Sequence, residues 1–136
     1  MSNVWSNFIE YIISNYINSK KIVEVGVGRV LEPSNLLKNS LTSCEIILVD
    51  LYPANNSVTK DDITNPTGNI YENADLIYSI RPPEELQKDV LNLGIKFGCD
   101  VIIKPLFTEE ICYNLQNKFK LVNFKGTPFY IFEGEK

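Results

Sequence analysis

Val23-Glu24-Val25-Gly26-Val27-Gly28-Arg29 is an apolar strand that breaks into two glycines separated by one residue. The next apolar run, Ile46-Ile47-Leu48-Val49, ends in Asp50. A short buried strand, a glycine turn, a helix and a second buried strand with an acidic tip form the front half of a nucleotide-binding unit. Glycine lets the backbone approach a ligand with no Cβ in the way, and a helix N-terminus offers unpaired N–H groups. A carboxylate at the tip of the following strand can accept the hydroxyls of a ribose.

Outward from this unit, strands and helices alternate. Toward the N-terminus, Val4, Trp5, Phe8, Ile9, Ile12, Ile13, Tyr16 and Ile17 give residues 4–18 a wide apolar helical face. Residues 1–20 are therefore predicted to lay an amphipathic helix on the sheet. Toward the C-terminus the first strand is Ile22–Val27, and a short helix follows around Pro33, a residue suited to a first turn. The second strand is Glu45–Leu51. Tyr52–Ser57 is too short for a helix, so the strand-like stretch Val58–Ile63 is either reached by a bare loop or only partly formed. Gly68–Asn73 reads as a turn or a single helical turn, and Ala74–Ile80 as the fourth strand. Glu84–Phe97 is a helix closed by Gly98, and Asp100–Lys104 the fifth strand. Thr108, Glu109 and Glu110 suit another helix start. Lys120–Phe124 and Pro128–Phe132 flank Lys125-Gly126 as a hairpin. The fold class is α/β: a three-layer, Rossmann-like, mainly parallel sheet with a C-terminal antiparallel hairpin, lacking the helix between strands two and three.

The chain of 136 residues carries 44% hydrophobic residues and a net charge of −4. That length predicts one domain, residues 1–136, burying roughly two-thirds of its unfolded surface. No run approaches the roughly 20 apolar residues of a membrane span. The acidic balance argues against nucleic-acid binding through overall charge. Met1-Ser2-Asn3-Val4-Trp5 lacks the basic start of a signal peptide. Cys44, Cys99 and Cys112 make no C-x-x-C pair and read as packed, reduced thiols of a cytoplasmic protein. The chain has no histidine, which excludes Ser-His-Asp and Cys-His catalysis and histidine-ligated metal sites.

Ligands of such sheets sit beyond the carboxyl ends of the strands. That edge collects Gly26, Gly28 and Arg29 from the first strand, Asp50 from the second, and Asp61 and Asp62 from the third. Arg81-Pro82-Pro83 ends the fourth strand and Lys104-Pro105 the fifth. Arg29 and Arg81 are the only arginines. Proline after a strand fixes extended backbone, and cations on two neighbouring tips favour an anionic ligand group. Asp75 and Asp100 belong to the opposite rim and read as structural. Each feature also has a plain reading as a tight turn, a cap, a solvated loop or a rigid strand exit.

Glu24-x-Gly26-x-Gly28, Asp50, Asp61/Asp62 and Ala74-Asp75-Leu76-Ile77-Tyr78-Ser79 resemble motifs of S-adenosylmethionine-dependent methyltransferases. More closely, Val23–Arg29, Asp61-Asp62-Ile63-Thr64, Ile77–Glu84 and Ile102–Leu106 look like a small archaeal family of uncharacterised proteins with a truncated methyltransferase-like Rossmann core. The resemblance implies S-adenosylmethionine as cofactor. Glu24, Gly26, Gly28, Asp50, Asp61 and Asp62 would be the cofactor-binding set: the glycines beside the methionine part, Asp50 on the ribose, and Asp62 or Asp61 on the adenine amino group. Arg29, Arg81, Pro82 and Lys104 would bind a substrate anion.

The departures bear on activity. Val30 stands where a third glycine is expected, and Leu31 where the dinucleotide fingerprint has one. Amino-methylating enzymes carry Asp or Asn before Pro-Pro-aromatic, whereas this chain reads Arg81-Pro82-Pro83-Glu84. Arg81 puts a donor where a target amine needs an acceptor, and a cation about 4 Å from a sulfonium costs about 4 kcal/mol at an effective dielectric of about 20, so amino-methylation by the usual route is disfavoured. Three functions fit: methyl transfer to a small anionic substrate aligned for in-line attack, a non-catalytic nucleotide-binding or regulatory module, or a fragment binding a nicotinamide dinucleotide. The sheet edge near Val58 offers room for a protein partner or a second copy.

Overall fold

The computed structural model describes residues 5–105 and 111–135. Its centre is a seven-stranded sheet of β1 (Lys21–Val25), β2 (Glu45–Asp50), β3 (Thr59–Lys60), β4 (Leu76–Ile80), β5 (Asp100–Lys104), β6 (Lys120–Phe124) and β7 (Thr127–Phe132). The order is β3-β2-β1-β4-β5-β7-β6. Pairings from β3 to β5 are parallel, whereas β7 joins β5 and β6 antiparallel. The hairpin therefore inserts its second strand into the sheet and leaves the first at the edge. Its tip, Lys125 and Gly126, has both φ angles positive (53° and 82°), as a two-residue turn between twisted strands requires.

Helices cover both faces. α1 (Ser6–Asn15) and α2 (Glu32–Ser40) lie on one side, where Phe8, Ile9, Ile12 and Leu37 pack on Ile22, Tyr78 and Phe129. Phe8 meets the rings of Tyr78 at 5.7 Å and Phe129 at 5.3 Å, both edge-on. Each such pair adds about 0.5–1.5 kcal/mol beyond buried area. α3 (Gly68–Tyr71) and α4 (Glu84–Phe97) cover the other side, with Tyr71, Val90, Leu91 and Leu93 against Val23, Ile77 and Val101. α4 opens on Glu84 and Glu85, places Lys96 in its last turn and ends at Gly98 with φ 68°. Both charge placements suit the helix dipole, and the left-handed C-cap suits glycine.

Several boundaries are tighter than the sequence predicts. α1 spans Ser6–Asn15 rather than 4–18, with Trp5 as its N-cap and Val4 outside the described residues. β3 shrinks to two exposed residues reached by a bare loop, as the short link after Asp50 implies. The helix start expected at Thr108 also lies outside the described residues, and 113–118 form a 3₁₀ turn. Cys44, Cys99 and Cys112 form no disulfide with one another, and Cys99 is buried.

At the amino ends of the strands, Asp75 accepts the amides of Lys20 (2.7 Å) and Lys21 (3.2 Å). Asp100 accepts the Tyr16 hydroxyl (2.8 Å) and the Gly134 amide (2.9 Å). A cavity of about 460 Å³ lies at this rim. Asp75 before β4 and Asp100 at the start of β5 are thus engaged in holding chain entries and exits.

Candidate functional site

The turn after β1 is built by hydrogen bonds from β2. The amides of Gly26 and Val27 donate to the Val49 carbonyl at 2.9 and 3.3 Å. Asp50 Oδ2 accepts the Gly28 amide at 2.8 Å, and Oδ1 accepts the Tyr52 amide at 2.8 Å. Gly26 and Gly28 have φ of 70° and 64°, a region that L side chains rarely enter. A Cβ at Gly28 would meet no heavy atom within 4 Å, so the turn presents bare backbone to open space above the strand ends.

Two cavities flank this turn. One, of about 350 Å³, is lined by Gly26, Asp50, Tyr52, Asp62, Ile63 and Leu86 among others. The adjacent aspartates behave differently around it. Asp61 is buried: it accepts the Thr67 hydroxyl at 2.7 Å and the Tyr71 hydroxyl at 2.7 Å. Asp62 is exposed, and the Thr64 hydroxyl and amide, at 2.7 and 2.9 Å, hold its carboxyl below the usual range. Asp61 is thus directed into the fold and Asp62 outward.

The other cavity, of about 340 Å³, lies on the α1/α2 face between Trp5, Glu24, Val27, Val30, Pro33, Ile80 and Arg81. Glu24 is 2% exposed and accepts the Tyr78 hydroxyl at 2.7 Å. Burial pushes its carboxyl up to about 7, against the opposing pull of Tyr78 and Lys38. Val30, at the position expected for a third glycine, is half exposed on the cavity wall.

Arg81 is exposed, with φ 57°, and its amide donates to the Lys104 carbonyl at 2.7 Å. Outside glycine such backbone costs about 1–3 kcal/mol and persists where its surroundings enforce it. The following Pro82-Pro83 pair contributes, because Pro82 disfavours right-handed helical backbone at Arg81. Lys104 is buried, and its ammonium donates to the Pro105 carbonyl at 2.5 Å. Burial, and then the neighbouring Arg81 charge, hold that ammonium below its usual pKa. Arg29 is exposed just beyond Gly28.

The expected site residues therefore fall into groups. Gly26, Asp50, Asp61 and Asp62 border one cavity together, while Glu24 and Arg81 border the other. Lys104 bonds to its own chain. Trp5, Tyr52 and Tyr78 join the site without having been expected there. For Tyr78 a signal existed: it stands directly opposite Glu24 in the β1–β4 register.

The family described as "Uncharacterised protein family (UPF0146)" matches residues 5–134. The chain belongs to the UPF0146 family. A UPF0146 protein of Methanothermobacter thermautotrophicus is 37% identical over 132 residues, covering 97% of each chain. One from Pyrococcus horikoshii is 40% identical over 130 residues, covering 90% of this chain and 95% of the relative. Among solved structures, this UPF0146 chain resembles a SAM-dependent methyltransferase from Aquifex aeolicus. That likeness has a TM-score of 0.60 and 13% identity, over 92% of this chain and 88% of that one. TrmN from Thermus thermophilus gives a TM-score of 0.63 at 13% identity, over 93% of this chain but only 48% of TrmN. The plantazolicin methyltransferase BpumL, solved with SAH, gives 0.52 at 12% identity, over 76% of this chain and 44% of that one. This UPF0146 protein has a Rossmann-like methyltransferase fold. Among its described residues no helix is long and apolar enough to cross a membrane.

Proposed function

We propose that the protein binds S-adenosylmethionine or a related adenosyl nucleotide at this edge and transfers its methyl group to a small anionic substrate. The observation that carries the reading is Asp50, which braces the glycine turn and lines the adjoining cavity. A carboxylate has about four acceptor positions. Two receive backbone amides from Gly28 and Tyr52, which leaves acceptor capacity for ribose hydroxyls.

The open space above Gly28 fits a ligand pressed against bare backbone. In this reading Gly26 and Gly28 pass beneath the amino-acid part, Asp50 receives the ribose, and Asp62 receives the adenine amino group. Tyr52, 81% exposed at the cavity margin, supplies an aromatic face for the base. The bound group would supply an electrophilic methyl. The chain's contribution is alignment for in-line transfer, with Arg81 placing the substrate anion. Lys104 helps from beneath, through its carbonyl on the Arg81 amide.

The test is a thermal-shift panel of S-adenosylmethionine, S-adenosylhomocysteine, NAD, NADP and ATP, with Asp50→Ala as control. A ligand at about 100 times its Kd adds about 2.7 kcal/mol of stability. A shift with the two adenosyl amino acids alone, lost in the variant, supports the reading. A shift confined to NAD or ATP, or none at all, rejects it.

A second reading keeps the ligand and drops the reaction, making the protein a nucleotide-binding regulatory module. The bare loop between β2 and β3 favours it, because no helix there walls the side proposed for the adenine. Binding of S-adenosylmethionine with no methyl released to any small acid would select this reading.

A further inference from the structure

We infer that the cavity between Trp5, Glu24 and Arg81 seats the methyl acceptor, and that the acceptor is a small hydroxy acid: its carboxylate on Arg81, its hydroxyl proton passing to Glu24. The transfer step rests on the adenosyl reading above; the acid site does not.

The cavity has two polar groups of opposite charge and unequal depth. Arg81 is exposed and stands at the rim, whereas Glu24 is 2% exposed and lines the cavity from within the fold. Trp5, Val27, Val30, Pro33 and Ile80 make the walls apolar. A ligand matching this arrangement is short, carries an anion at one end, and has an apolar body and a hydrogen-bond donor. A buried carboxylate facing such a space is costly unless a donor meets it.

A hydroxyl that attacks carbon must lose its proton, and the chain has no histidine to take it. Glu24 is the carboxylate on this cavity, with a pKa raised to about 7 by burial, well placed for a base near neutrality. The groups acting on it are Tyr78 from β4, whose hydroxyl donates to Oε1, and Lys38 from α2, while Arg81 is the other charged group lining the cavity. As the acceptor oxygen bonds the methyl carbon, the carbon–sulfur bond breaks and its electron pair stays on sulfur. The hydroxyl proton moves to Glu24. One positive charge on sulfur and one negative charge on Glu24 are cancelled together.

Trp5 is the only tryptophan in the chain and lies on the cavity wall, so its fluorescence reports occupancy. The probes are mandelate, phenylacetate (no hydroxyl) and benzyl alcohol (no carboxylate). Mandelate is expected to perturb Trp5 saturably in the millimolar range, with each analogue weaker by about tenfold, one good polar contact's worth. Arg81→Gln should weaken mandelate and phenylacetate by about tenfold and leave benzyl alcohol unchanged. Mandelate should also bind more tightly as pH rises through about 7 and Glu24 ionises. Glu24→Gln, which keeps an acceptor for Tyr78, should abolish that pH dependence.

A thermal shift with S-adenosylhomocysteine, run on the same variants, separates the two claims. A shift there without any Trp5 response to mandelate overturns the acceptor site alone. A Trp5 response without the shift upholds the acid site and overturns the adenosyl reading and the transfer step. A mandelate response indifferent to Arg81 and Glu24 overturns the inference outright.

Discussion

Asp50 and Gly28 are joined by a 2.8 Å hydrogen bond from the glycine amide to the carboxylate, so the tip of β2 sets the shape of the turn after β1. The same carboxylate holds the Tyr52 amide. Hydrogen bonds to charged groups contribute about 1.5–3 kcal/mol each. With Asp50 only half-buried, Asp50→Ala should cost about 1–3 kcal/mol in all and remove adenosyl-ligand binding. Asp50→Asn, which keeps one acceptor oxygen, should lose less of both. Denaturant melts beside ligand titrations check it; an Asp50→Ala protein that binds as the parent does would end the ribose assignment.

Gly28→Ala separates backbone strain from ligand space. No heavy atom crowds the added methyl, so the stability cost is the left-handed backbone alone, about 1–2 kcal/mol. Ligand affinity should fall much further, because the methyl enters the space above the strand ends. Equal losses in thermal stability and affinity would mean that nothing binds over Gly28.

Arg81 carries the opposite relation between strain and side chain. Arg81→Gly relieves a φ of 57° and should stabilise the fold by about 1 kcal/mol while weakening small-acid binding. A stability gain measured together with a binding loss would mark Arg81 as a residue kept for its side chain despite its backbone. Destabilisation would show that the guanidinium holds the fold.

Much of this edge was legible in the sequence because its determinants are local. Gly26, Gly28 and Asp50 each stand at a strand tip, and α4 with its Gly98 cap, like β5, runs where charge and glycine patterns place it. What was not legible depends on which groups the folded backbone brings within hydrogen-bond reach. Asp61 is distinguished from Asp62 by the hydroxyls of Tyr71 in α3 and Thr67 at its N-cap, which bond to it. Lys104 has a cation's place on the edge, yet its ammonium folds back on the Pro105 carbonyl. The Glu24–Tyr78 pair spans 54 residues and exists because β4 pairs with β1 across the crossover from β3.

Glu24 has a pH signature. Its folded pKa is about 7 against an ordinary 4.5, so between those values the folded protein holds a proton that the unfolded chain releases. Stability from this group is complete below about 4.5, declines as pH rises, and is gone above about 7. The shift corresponds to a loss on the order of 3 kcal/mol. Glu24→Gln should flatten this slope and be more stable than the parent near pH 8. Chemical denaturation at several pH values decides it, and parallel profiles for the two proteins would remove Glu24 as the titrating group.

The aspartate pair gives the sharpest contrast in the site. Asp61 is 8% exposed and serves as acceptor for the hydroxyls of Thr67 and Tyr71, both at 2.7 Å. Asp61→Ala strands the buried Tyr71 hydroxyl at a cost of about 1–3 kcal/mol, releases Thr67, and should loosen the chain from Thr67 through α3. Asp62 hydrogen-bonds only within its own exposed turn, to Thr64, among the contacts described. Asp62→Ala should therefore leave the melting temperature within about two degrees, since exposed substitutions fall within about 0.5 kcal/mol. Its effect belongs to ligand discrimination: affinity for S-adenosylhomocysteine should drop while affinity for an inosine analogue, which lacks the adenine amino group, stays the same. If Asp62→Ala weakens both nucleosides equally, the carboxylate acts on the turn rather than on the base. If it weakens neither, the adenine end lies elsewhere on the edge.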